Sequence, residues 1–348
     1  MNDSSSLFLN DALDLVSQVF QYLDGAEVLR ARSVNRFLAA HAPSMVHSLT
    51  LDARQVSLQS DFLAGDRVTK LLIKCTSLRH LVVTNSRNAN STLSDLPRGY
   101  SAPVNSQQQQ REQVHGYEIL AQVTAAFHQN ACLTLEALEL RAPFEFATES
   151  DTILECLRAL AHRSASHSWR RSPRASLKHL ILDSTFLGDA RIQQLATLLE
   201  TSWPYFQSLE TLVLRGNFVG EAGCHALFQR LHRCPRLEEL DMSGNILTDT
   251  DVMALADALE HADSAAAGYR KDDFLPFSLL QRVTLHENYI GMDGFYALSS
   301  AICARLLEMS DEEMDARGGE NNGESSLIHV RCDRNCAPVK KAARLFLF

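Results

Sequence analysis

The sequence has no uncharged apolar run long enough to cross a bilayer, so no membrane span is expected. Its first residues, MNDSSSLFLN, lack a basic region ahead of an apolar stretch, and they are acidic rather than arginine-rich. That reads as neither a secretory signal nor a transit peptide. Basic excess is missing too. The formal net charge is −9, which argues against a nucleic-acid binder. The eight cysteines show no paired spacing and read as reduced core thiols rather than a disulfide framework. No dinucleotide glycine fingerprint, P-loop or G-x-S-x-G elbow occurs. HENYI at His286 lacks the second histidine of a zincin, and no second pair joins Cys332 and Cys336 to complete a zinc site. The expectation is therefore a non-catalytic protein without metal or cofactor. Its place would be cytoplasmic or nuclear, or inside a larger assembly.

What the sequence does have is a recurring register, apolar-x-x-apolar-x-apolar. It occurs at Val46, Leu49 and Leu51; at Leu78, Leu81 and Val83; at Leu135, Leu138 and Leu140; and at Leu177, Leu180 and Leu182. Four further copies begin at Leu209, Leu237, Leu280 and Leu327, and in each an asparagine follows eight residues on: Asn217, Asn245, Asn288 and Asn335. Two copies continue through a glycine pair (Gly220 with Gly223, Gly291 with Gly294) into a helical apolar pattern. A lone strand has no use for that asparagine. In a stack, its amide can satisfy backbone groups where the chain leaves each strand and turns. The glycines suit a turn with positive φ or a close approach.

Eight copies in this register resemble the leucine-rich-repeat family, specifically its ribonuclease-inhibitor-like class with a helix in each repeat. The resemblance implies an α/β horseshoe over about 46–335, with parallel strands on the concave face and helices on the convex face. The expected domains are a helical segment at 9–42, this solenoid, and an apolar C-terminal cap at 338–348. Polar insertions are expected near 86–116, 162–176, 261–277 and 308–326. The second insertion is basic and the last acidic, and RRSP makes Ser172 a candidate phosphosite.

Ahead of the repeats, Leu15, Val16, Val19, Phe20 and Leu23 recur at helical spacing. Asp24-Gly25 breaks the run, and Val28, Leu29, Val34, Phe37 and Leu38 form another. DLVSQVFQYLD and VLRARSVNRFL resemble an F-box, with Ala12 where that family has proline and Leu38 where it has tryptophan. The combination resembles the F-box and leucine-rich-repeat substrate receptors of Skp–cullin ubiquitin ligases. On that resemblance Leu15, Val19, Phe20, Tyr22 and Leu23 would dock a Skp-type adaptor, and Val28, Leu29 and Val34 would hold the segment together. The alternative is a structural or assembly scaffold within a cytoskeletal or organellar complex, in which these helices only cap the repeats.

Strand alternation turns the residues between and after the core positions outward together. Glu139, Arg141, Asp183, Arg215, Asp241, His286, Arg331 and Asp333 are thereby the candidate partner-binding row. His80, His179 and His329 are expected beside them.

Overall fold

The computed structural model describes residues 16, 20, 23, 25–34, 36–53, 66–85, 116–165, 176–260, 277, 279–316, 328–332 and 335. Ser172, Asp333, the 338–348 cap and most of the expected insertions lie outside them. Two insertion edges are described and differ from expectation, since 162–165 and 308–316 continue helices.

The chain divides into two compact units, Met1–Glu145 with Glu155–Ala175, and Phe146–Leu154 with Ser176–Phe348. The first holds helices α1 (Gly25–Arg30), α2 (Arg36–His41), α3 (Arg67–Lys74) and α4 (Gly116–His128), and all but the first turn of α5 (Asp151–Ala165). Its strands are β1 (Ser48–Asp52), β2 (His80–Thr84) and β3 (Ala137–Arg141). The second holds β4 (His179–Asp183), β5 (Thr211–Val213), β6 (Glu239–Asp241), β7 (Arg282–Thr284) and β8 (His329–Arg331). Its helices are α6 (Gly188–Thr201), α7 (Trp203–Phe206), α8 (Glu221–Phe228), α9 (Asp249–Glu260) and α10 (Met292–Ala316). Within each unit every strand pairing is parallel and follows sequence order. Parallel neighbours cannot be joined by a tight turn, and the intervening helices supply the crossover. The fold is α/β.

The register places like on like. Leu49, Leu81 and Leu138 align across the first unit, and so do Leu51, Val83 and Leu140. In the second unit Leu180, Leu212, Leu240, Val283 and Val330 align. All but Val330 of these strand residues are buried. A one-residue slip would turn every such side chain to the other face, so burial itself fixes the register.

Past the strands of the second unit the stack continues through side chains. Asn217 Oδ1 accepts the N–H groups of Thr185 and Leu187 and the Thr185 hydroxyl, while its Nδ2 donates to the Leu182 and Arg215 carbonyls. Asn245 Oδ1 accepts the N–H groups of Asn217 and Val219. Asn288 Oδ1 accepts those of Asn245 and Leu247, and Asn335 Oδ1 accepts that of Asn288. Each asparagine thus occupies the amides of the preceding repeat and carbonyls of its own. The ladder begins on a threonine, Thr185, that the asparagine spacing did not reveal. The residue just before the rung takes a left-handed turn, which glycine adopts at Gly216 and Gly244 without a Cβ penalty.

The paired glycines serve close approach and not positive φ. Asp189 Oδ1 accepts the Gly220 N–H, and Asp249 Oδ1 accepts those of Gly291 and Gly294. A Cβ on Gly223 would lie 2.7 Å from Asp189 Oδ1, and one on Gly294 would lie 2.7 Å from Asp249 Oδ1. The aspartate at the start of one helix therefore clamps the start of the next, and only glycine leaves room.

None of the seven described cysteines forms a disulfide, and five are buried. Burial pushes the Cys234 thiol up to about 12, and it raises Cys224 as well, helped by the charges of Asp251 and Asp189. These thiols behave as core residues.

Leu240→Ala, at a fully buried strand position, should cost roughly 2–5 kcal/mol in chemical denaturation; a loss below about 1 kcal/mol would show that the aligned leucines are not core. Gly294→Ala tests the clamp by its sign. Helix propensity alone would favour alanine by about 1 kcal/mol, whereas the Asp249 contact predicts a lower melting temperature and a net loss of about 1–3 kcal/mol.

Candidate partner-binding surfaces

Strand residues that alternate with the buried leucines form an open face in each unit. In the first unit this face carries a linked polar chain. His80 Nε2 lies 2.7 Å from Glu139 Oε1, Arg141 Nε donates to Glu139 Oε2 at 2.7 Å, and Ser48 Oγ is 3.5 Å from His80 Nδ1. The neighbouring strands bring these groups together, since Val82 aligns with Glu139 and Thr84 with Arg141. Glu139 is only 8% exposed. Placed by the sequence in the binding row, it spends both carboxylate oxygens inside the unit, and among the pair it is Arg141 that is exposed.

In the second unit three rows run across the strands. The first aligns His179, Thr211, Glu239, Arg282 and His329. Its members interact, with His179 Nδ1 3.1 Å from Thr211 Oγ1 and Arg282 donating to Glu239 Oε2 at 3.0 Å. Glu239 and Arg282 were missed by a reading that counted only outward positions between and after the core residues. The second row aligns Ile181, Val213, Asp241, Thr284 and Arg331. Asp183, Arg215 and His286 follow at the strand ends. Asp183 accepts the Ser184 hydroxyl, and Asp241 accepts the N–H and hydroxyl of Ser243, so both carboxylates shape their own turns. His286 Nδ1 is buried with no hydrogen-bond partner among the described residues. Arg215 and Arg331 are exposed.

The N-terminal segment is attached to the first unit through α1. Gly25 is buried so closely against β1 that a Cβ would collide with the Ser48 carbonyl, and Val28 beside it is buried. Of the five residues expected to dock an adaptor, Leu15, Val19 and Tyr22 lie outside the described residues. Phe20 is buried and Leu23 is 40% exposed. Phe20 is thus packed within the chain, contrary to the expectation of an open docking side chain. Val34, expected to hold the segment together, is 71% exposed. The short helices leave it on a turn between α1 and α2, off the packed face. Leu29 is half-buried.

Another surface, in the second unit, went unread in the sequence. The residue directly after each of the first four ladder rungs is large and largely apolar: Phe186, Phe218, Ile246 and Tyr289. Phe218 is 54% exposed, Ile246 45% and Tyr289 58%. The Phe186 and Phe218 rings stack, with centroids 6.1 Å apart and planes at 10°. Both phenylalanines hold left-handed backbone, with φ of 57° each. The signal was present as T-F, N-F, N-I and N-Y at one repeat position, but attention to the asparagine masked its neighbour.

No protein-family model matches the chain, and no characterised protein matches it in sequence. Among the described residues no cluster of histidine, cysteine and acidic side chains could hold a metal ion, and no helix is long and apolar enough to cross a membrane.

Glu139→Ala should destabilise the first unit by about 1–3 kcal/mol, because it removes a buried carboxylate and two charge-assisted bonds. Denaturation titration checks this, and a change under about 0.5 kcal/mol would return Glu139 to the open face.

Proposed function

We propose that the chain is a non-catalytic recognition protein built on a leucine-rich-repeat horseshoe, and that it serves as substrate receptor of a Skp–cullin-type ubiquitin ligase. The aligned buried leucines and the asparagine ladder support the repeat reading, since each rung satisfies its neighbour and none is free for chemistry. The observation that carries the receptor reading is the anchoring of the F-box-like segment on the first strand. Gly25 and Val28 are buried, while Leu23 and Val34 are left in water. A receptor needs its adaptor-binding end tied firmly to its recognition surface, and uncovered apolar residues there are what an adaptor would bury. The docking face moves accordingly, from Phe20 to Leu23 and Val34.

The burial of Phe20 supports a second reading, a scaffold subunit of a larger complex in which this segment caps the repeats. Affinity capture of the intact protein with mass spectrometry separates the two. The receptor reading expects adaptor and cullin peptides. Leu23→Asp with Val34→Asp should remove them, because uncompensated charge in a buried interface costs several kcal/mol, enough to abolish a micromolar complex. The melting temperature should hold within a few degrees, since both positions are exposed. Wild-type protein that captures no adaptor leaves the scaffold.

A further inference from the structure

In the row Phe186, Phe218, Ile246 and Tyr289 the last three side chains are exposed, and Phe186 is half-buried. The rungs beside the row are buried and complete their hydrogen bonds without it. Yet it has a cost. Left-handed backbone at a residue other than glycine is unfavourable, and two phenylalanines adopt it here. Exposed aromatic surface adds to that. Three more exposed apolar residues, Met253, Met292 and Tyr296, lie on the helices that follow Ile246 and Tyr289.

The charge around the row is predominantly acidic, although Asp251 is buried within its own turn. From the ends of β4, β5, β6 and β7 to the first turns of the following helices, the spans 183–191, 215–223, 241–251 and 286–294 hold eight acidic residues against Arg191 and Arg215. Arg191 is already bound to Asp151. An apolar row set in acidic surroundings selects a complementary partner, both by attraction and by repelling acidic competitors.

We propose that this ledge, rather than the open strand face, docks a linear segment of a protein partner rich in lysine or arginine, with large apolar side chains along one side. This rests on the reading of the chain as a recognition protein and gives that reading a partner chemistry. The apolar side chains of the segment would lie on Phe218, Ile246 and Tyr289, and its basic groups would face the acids on either side.

The test uses the full chain and a fluorescein-labelled twelve-residue peptide alternating lysine with leucine or phenylalanine, followed by anisotropy. Saturable binding is expected, weakening as salt rises. Phe218→Ser with Tyr289→Ser should weaken it at least tenfold with the melting temperature unchanged, because both side chains are exposed. Arg331→Ala on the open strand face should leave it intact. A peptide with glutamate for lysine should bind at least tenfold more weakly. The proposal is overturned by no binding, by equal binding of the glutamate peptide, or by loss in R331A but not in the ledge variant. It is also overturned if sedimentation shows a dimer that the ledge variant abolishes, since the row then joins two copies of this chain. The adaptor capture is read through Leu23 and Val34, so the two claims fail separately: peptide binding without adaptor removes only the ligase link, and adaptor without peptide removes only the ledge.

Discussion

Buried backbone amides must be satisfied, and at the turns that follow β4 to β7 the asparagine of the next repeat satisfies several of them. Asn245 shows the arrangement. Its carbonyl oxygen closes the turn ahead of it through Asn217 and Val219, and its amide nitrogen holds the carbonyls of Leu214, Met242 and Ser243. No repeat can complete its own turn. The consequence in the second unit is that each of these turns depends on the residues of the next one.

The same constraint organises what lies outside the core. Because the rung fixes the turn, the residue after it must point away from the buried amides, and in four successive repeats that residue is apolar and in three it is substantially exposed. The two aspartate clamps act on the far side of the turns that follow Phe218 and Tyr289. Asp249 ties the start of α9 to the start of α10 through Gly291 and Gly294, which holds the helices close enough to cover the leucines. The row therefore lies between the asparagine rungs before it and, at Gly220 and Gly291, the aspartate clamps after it.

The first unit solves its face differently. There a polar chain from His80 through Glu139 to Arg141 crosses two strands, and the carboxylate is withdrawn from solvent by its two partners. On that face the carboxylate is internal and Arg141 stays exposed. The second unit keeps Arg215 and Arg331 exposed.

The sequence by itself determined the strand register, the buried leucines and the asparagine positions, because side-chain alternation and the need to bury apolar groups act over a few residues. It also placed a break at Asp24-Gly25, and α1 starts at Gly25. Tertiary structure alone decided which outward residues stay open. Glu139 and Phe20 were expected at surfaces and are buried, since the partners that cover a side chain come from neighbouring strands and helices far away in sequence. Val34 was expected inside and is exposed, because helical spacing predicts a face only if the helix runs through, and here it stops at Arg30. The aspartate clamps were likewise unreadable. Asp189 and Gly220 are separate letters until the stack brings an N–H to within 2.7 Å of a carboxylate.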